Sequence, residues 1–210
     1  MILLFDAANT IIHKPDLYIN ITKVLTQHNF NVEEAYLKKN HKLLSEVINF
    51  PDRTNEEFYK KFNSELLYCL GIAPTEALLK DIFTACSYLP WKAFDDTKVL
   101  KELNVKKAIV SNFHSSLTKI IAETMPNTFD EIVISEVENL RKPDIEFYKC
   151  ALKYLKVPAE EIIYIGDSVK LDIEPASKLG IKAFLIDREN NFLAAPNRLT
   201  SLHELKNFSL

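Results

Sequence analysis

Glycine is scarce in this sequence, with three in 210 residues. Glycine-rich loops that cradle phosphates have no material here, and neither the dinucleotide fingerprint nor the Walker pattern occurs. Cysteine is as rare: Cys69, Cys86 and Cys150 are widely spaced and odd in number. Each falls in a segment with helical periodicity, so the expectation is buried thiols in a reducing compartment and not a disulfide framework or a metal site. No apolar run approaches the roughly 18 residues of a spanning helix. The opening Met1-Ile2-Leu3-Leu4-Phe5 has no basic start and runs straight into Asp6, which is unlike a secretory leader; a cytoplasmic location without a membrane partner is expected. Lysine and arginine are scattered and the formal net charge is -3, which excludes a basic face for nucleic acid. Tryptophan occurs once, as Trp91, and the Phe and Tyr residues read as packing groups, not as a platform for bases.

Five short apolar runs are present: Ile2 to Phe5, Ala108 to Val110, Ile132 to Ile134, Ile162 to Ile165 and Ala183 to Ile186. Their length and β-branched content predict strands buried on both faces. Helical spacing between the later four, as in Leu117, Ile120 and Ile121 or Phe147, Ala151, Leu152 and Leu155, gives the alternation of a parallel α/β sheet. Between the first and second runs lies a stretch far too long for one crossover. Asp16 to His28, Val32 to Ile48, Asn55 to Leu70 and Thr75 to Ser87 are each periodic as helices there. Thr54-Asn55-Glu56-Glu57 has capping-box spacing, and Gly71 and Pro74 break the chain after the third segment. The reading is a core domain of residues 1–14 and 89–210 interrupted by an all-helical insert at 15–88, with Leu89-Pro90-Trp91 as the return.

Ligands of a doubly wound sheet bind outside the carboxyl ends of its strands. Asp6 follows the first strand; Ser111 and Asn112 follow the second; Gly166, Asp167 and Ser168 follow the fourth, with Asp172 one helical turn further on. Lys142, in "LRKPDIEFY", lies past the third strand at a helix start whose first turn suits Pro143 and Asp144. Three carboxylates, a hydroxyl and a lysine are thus expected at one edge of the sheet.

"FDAANTII", "IVSNFH", "RKPDIEFY" and "YIGDSVKLDIEPASKLGI" resemble, in order and spacing, the four motifs of the haloacid dehalogenase-like hydrolase superfamily. That resemblance implies a parallel Rossmann-like sheet flanked by helices, with the insert as a helical cap closing over the site. It further implies a small phosphorylated substrate, Mg²⁺ as cofactor, and Asp6 as the nucleophile that forms an aspartyl intermediate. By the same resemblance Asp6, Asp167 and the backbone carbonyl of Ala8 hold the metal, and Asp172 stands behind them. Ser111 and Lys142 would bind the transferring group, with Thr10 and Asn112 as further contacts. The helix expected at Ser115 to Glu123 would place amide donors near Ser111, while Thr10 is expected to hydrogen-bond within its turn.

One position departs from the pattern. Most phosphatases of the superfamily carry a second aspartate, a general acid, where this chain has Ala8; such an acid is worth about 10² to 10⁴ in rate. A leaving group needing no proton would dispense with it, or His13 or His114 would supply one. A branch resembling phosphonoacetaldehyde hydrolase keeps the metal, has alanine here and uses a cap lysine; Lys38, Lys39 and Lys42 are the candidates, though such a lysine run also reads as a solvated face. The dehalogenase branch dispenses with the metal, against which Asp167 and Asp172 argue. A catalytically silent binding protein is the remaining alternative.

Overall fold

The computed structural model describes residues 1–195 and 197–208. The chain divides into two compact units, one of Met1–His13 with Lys92–Leu210 and one of Lys14–Trp91.

The first unit opens with β1 (Ile2–Phe5), every residue of it buried. After a turn comes β2 (Ile12–His13), and then the chain departs into the second unit, α1 (Leu17–Gln27), α2 (Glu34–Val47), α3 (Glu56–Cys69) and α4 (Glu76–Cys86). It returns through β3 (Lys92–Ala93), which pairs antiparallel with β2: Ile12 faces Ala93 and His13 faces Lys92. Beyond a 3-10 turn at Asp95–Lys101 follow β4 (Lys106–Ser111), α5 (Leu117–Thr124), β5 (Glu131–Ile134), α6 (Ser135–Glu138) and α7 (Ile145–Leu155). The chain continues through β6 (Ile162–Gly166), a π-helical turn at Val169–Ile173, α8 (Glu174–Lys178), β7 (Lys182–Ile186) and β8 (Arg198–Leu199) to a final 3-10 segment, Leu202–Asn207.

The sheet runs β5-β4-β1-β6-β7-β8 and is parallel throughout. Parallel strands are covered on both faces and need near-continuous apolar sequence, which the β-branched runs supply. Leu4, Val110, Tyr164 and Leu185 pack with Phe147, Tyr148 and Ala151 of α7 in one cluster. In the helical unit Ile21, Leu25, Leu37, Phe62, Leu66 and Ile82 form a separate core. None of the helices is long and apolar enough to cross a membrane, among the described residues.

Several expectations change in detail. Thr54 does not cap α3; Asn55 does, accepting from the Phe58 amide at 2.8 Å. The helix after β4 starts at Leu117, so Ser111 is separated from its first turn by several residues. α7 begins at Ile145 with Asp144 as its N-cap, bonded to the Glu146 amide; Lys142 therefore precedes the helix, and its peptide bond to Pro143 is cis. Cys69 is exposed and not buried, while Cys86 and Cys150 are half-buried, and all three thiols are free. The two-residue strands β2, β3 and β8 are too short to leave a periodic signature.

Candidate active site

At the end of β1 the Asp6 amide donates to Ile165 O at 2.9 Å, extending the ladder by one residue and fixing the carboxylate beside the ends of β4 and β6. The chain then winds tightly. Ala7 O accepts from the amides of Thr10, Ile11 and Ile12 at 3.3, 2.9 and 3.0 Å, and the Asn9 amide donates to Ile12 O at 2.7 Å. Asn9 stands at φ +60°, a left-handed conformation that asparagine tolerates better than most residues. Ala8 lies in this turn, partly exposed, and its methyl group offers no proton. Thr10 is fully buried, and its hydroxyl has no partner among the described residues. The expected side-chain hydrogen bond is thus not made; the Thr10 amide and carbonyl bond in its place.

Two donors converge on one oxygen of Asp6. Ser111, at the end of β4, donates its hydroxyl to Oδ1 at 3.1 Å, and Lys142 Nζ reaches the same atom at 2.5 Å. The lysine is held from both ends. Its amide donates to Asn112 Oδ1 at 2.7 Å, and Asn112 Nδ2 donates back to Lys142 O at 2.9 Å. Asn112, expected to touch substrate, thus spends both ends of its amide on the Lys142 backbone. At the other end Nζ also donates to Asp172 Oδ1 at 2.7 Å and to Tyr164 Oη at 3.3 Å.

Asp172 is itself saturated. Tyr164 Oη donates to Oδ1 at 2.7 Å, and the Ser168 amide donates to Oδ2 at 3.0 Å. The local sequence explains this placement: Ser168 caps the Leu171 amide and starts the π-helical turn, whose wide winding brings Asp172 back against the strand end. Gly166 leaves the necessary room, since a Cβ there would overlap the Asp172 carboxylate. Tyr148, from α7, donates to Leu171 O at 2.5 Å and closes the back of the cluster.

Electrostatics follow from burial. The Asp6 carboxyl is pushed up to about 6, first by burial and then by Asp172 and Asp167, against the opposing pull of Lys142. Burial would depress Lys142, but Asp172 and Asp6 outweigh it and hold the ammonium charged far beyond its usual range. Asp6, Asp167 and Asp172 each bring an oxygen within 4.8 Å of the others. One ammonium against three carboxylates leaves an excess of negative charge around hard oxygen donors, a set that fits Mg²⁺. Asp172, whose oxygens are already engaged, stands behind Asp6 and Asp167 in that arrangement.

Other sequence candidates lie elsewhere. The His13 ring stacks on Phe94 at 4.0 Å, and His114 Nδ1 lies 2.7 Å from Ser116 Oγ. Lys38 pairs with Glu34 at 2.9 Å and Lys42 with Glu46 at 2.8 Å; the Lys42 pair, only 15% and 14% exposed, does not form a solvated face. Tyr164 was not singled out by sequence, although it bonds both Lys142 and Asp172. The available signal was a phenol inside a fully buried strand, which requires a polar partner.

The sequence model for haloacid dehalogenase-like hydrolases matches residues 3–186. Glyceraldehyde 3-phosphate phosphatase of Methanocaldococcus jannaschii is 37% identical over 87 residues, 39% of this chain and 37% of that protein. Haloacid dehalogenase-like hydrolase domain-containing protein 3 of Danio rerio is 31% identical over 110 residues, 50% of this chain and 46% of that protein. The chain spans less than half the length of these curated relatives. A magnesium-bound HAD-hydrolase of Bacillus subtilis superposes with a TM-score of 0.66 at 20% identity, over 98% of this chain and 96% of that one. L-2-haloacid dehalogenase of Xanthobacter autotrophicus superposes at 0.62 and 19% identity, over 98% and 96%. At these identities the superpositions establish the fold alone. Because the sequence match runs from β1 through β7 and so takes in Asp6, Ser111, Lys142, Asp167 and Asp172, the chain belongs to the haloacid dehalogenase-like hydrolase family.

Proposed function

We propose that the chain is a Mg²⁺-dependent phosphatase of a small phosphorylated compound, with Asp6 as nucleophile. The observation that carries this reading is the convergence of Ser111 and Lys142 on Asp6 Oδ1, which leaves Oδ2 without a hydrogen bond among the described residues. An Oδ2 lone pair attacks phosphorus, the bond to the leaving oxygen breaks, and an aspartyl phosphate forms on Asp6; water then releases phosphate and restores the carboxylate. Lys142 is a fixed positive charge beside the transferring group, and Ser111 orients Asp6 with its one hydroxyl proton, which would pass to a phosphate oxygen only by leaving Oδ1. Mg²⁺, held by Asp6, Asp167 and the Ala8 carbonyl, would supply charge neutralisation between two anions.

The curated relatives named as phosphatases of glyceraldehyde 3-phosphate support the reaction class. The imine-forming alternative requires a neutral lysine, and of its candidates Lys38, Lys39 and Lys42 the first and last are disfavoured by their ion pairs with Glu34 and Glu46. Ala8 adds a restriction: without an acid there, substrates whose leaving group departs as a stable anion are favoured.

The test is phosphate release from acetyl phosphate and from a sugar phosphate, with and without Mg²⁺, using Asp6→Asn as the blank. Acetyl phosphate is expected to turn over only with Mg²⁺ and only with Asp6 intact, the sugar phosphate being slower by about 10² to 10⁴. Absence of Mg²⁺-dependent release from both compounds would overturn the proposal.

A further inference from the structure

Arg188 lies two residues beyond β7, yet its side chain ends on the turn that follows Asp6. Nη2 donates to Thr10 O at 2.9 Å and Nη1 to Asn9 O at 3.3 Å. The same guanidinium grips Asp96 at two points, Nε to Oδ2 and Nη2 to Oδ1, both at 2.9 Å. Its Cζ lies 4.0 Å from the Phe94 ring centroid, and the His13 imidazole stacks on that ring at 4.0 Å with planes 12° apart. Two groups so close to one centroid fit only on opposite faces, so Phe94 is sandwiched between them. Asp96 Oδ2 accepts as well from the Leu202 amide at 3.0 Å and from Ser201 Oγ at 3.4 Å.

The pair is largely buried, with 18% of the Arg188 side chain and 12% of the Asp96 side chain exposed. Burying an ion pair has a desolvation cost that apolar residues of similar volume avoid, so stability alone accounts poorly for its presence. What apolar residues cannot do is donate to two carbonyls and a carboxylate at once, and lysine lacks the fork to do so. The carbonyls held are those of Asn9 and Thr10, the residues directly after Ala8.

We propose that Arg188 is a positioning residue: by gripping Asn9 O and Thr10 O it fixes the turn after Asp6 and thereby the direction of the Ala8 carbonyl and the Asp6 carboxylate. The role assigned to that carbonyl and carboxylate rests on the function proposed above; the hold on the turn does not.

Two separate readouts test it. Arg188→Lys keeps the charge but loses the fork, and Asp96→Asn, a milder change, loosens the same anchor. Arg198→Gln is the control for the neighbouring charge: Arg198 donates to Phe192 O at 2.7 Å and pairs with Asp187 at 3.6 Å, directly before Arg188, but does not touch the turn. In Arg188→Lys, hydrogen exchange at the Asn9, Ile11 and Ile12 amides is expected to quicken about tenfold, as local opening of the turn becomes easier, while the Ile109 and Ile165 amides of the sheet stay as in wild type. Calorimetric titration with Mg²⁺ should show binding weakened about tenfold, and on acetyl phosphate kcat should fall more than KM changes. Asp96→Asn should move the same amides by less, and Arg198→Gln should move none of them. Turn amides that exchange as in wild type in both folded anchor variants would overturn the proposal. Faster turn exchange in a protein whose wild type binds no Mg²⁺ would support the anchor and remove the metal-dependent reading of the site.

Discussion

Lys142 Nζ lies 2.5 Å from Asp6 Oδ1, joining residues 136 positions apart, and both side chains are almost wholly buried. A cation in that position is the counter-charge for two carboxylates, because Asp172 Oδ1 is 2.7 Å from the same nitrogen. The arrangement binds together the ends of β1 and β6, whose carboxylates would otherwise repel one another.

Removing that charge should therefore be costly in a pH-dependent way. In Lys142→Met, Asp6 and Asp172 remain buried without their partner, a loss of about 3–5 kcal/mol near neutral pH. Without the ammonium the Asp6 carboxyl, already pushed up to about 6 by burial, takes up a proton still more readily, so the penalty should shrink towards pH 5. Chemical denaturation of wild type and variant at pH 5 and pH 8 measures the difference, and phosphate release should be lost at both.

Gly166 is expected to be irreplaceable for a reason unrelated to backbone freedom. Alanine there would place a methyl group inside the Asp172 carboxylate, displacing an acid that bonds Lys142, Tyr164 and the Ser168 amide. Gly166→Ala should cost at least 10²-fold in kcat, as when a catalytic group is misplaced by about 1 Å. Its melting temperature should fall as well, because the π-helical turn must shift. Equal kcat values in the two proteins would show that Asp172 tolerates displacement.

In the helical unit, His41 carries a separate pH dependence. Its ring lies between Tyr18 and Phe62, with centroids 5.3 and 5.0 Å away, and Tyr18 Oη is 3.3 Å from Nδ1. Burial, aided by the charge of Lys42, depresses the imidazole from 6.5 to about 4. Between those values the unfolded chain binds a proton that the folded chain refuses, so stability rises with pH. This contribution is complete above pH 6.5 and is lost as the pH falls towards 4. Its size is on the order of 2 kcal/mol after allowance for partial solvent exposure. Stability from denaturation should rise between pH 4 and 7 in wild type and rise less over this window in His41→Gln.

The strands were legible because burial on both faces demands uninterrupted apolar sequence, and the acids were legible because each interrupts such a run at its end: Phe5 to Asp6, Gly166 to Asp167. The partners that hold the acids were harder to read. Tyr164 is indistinguishable by periodicity from a packing aromatic, and its hydroxyl acquires meaning only when Asp172 folds back over it. Arg188, between Asp187 and Glu189, and Asp96, beside Asp95, are 92 positions apart, and no local pattern singles them out or brings them together. Asn112 was visible as a polar residue after β4, but its attachment to the Lys142 backbone depends on the path of the loop between α6 and α7. Thr54 and Asn55 compete for one cap, and a shift of a single residue decides which side chain faces the Phe58 amide.

The short pairing of β2 with β3 has a consequence for how this chain can be altered. It acts as a clasp: the peptide leaves the sheet unit and rejoins it at neighbouring points, and all of the residues from Lys14 to Trp91 hang between. Asp6, Ser111, Lys142, Asp167 and Asp172 lie outside that span. A hybrid in which the helices between His13 and Lys92 are exchanged for foreign ones would keep every residue of the carboxylate cluster and of the Arg188 anchor, since none of them is drawn from the exchanged span.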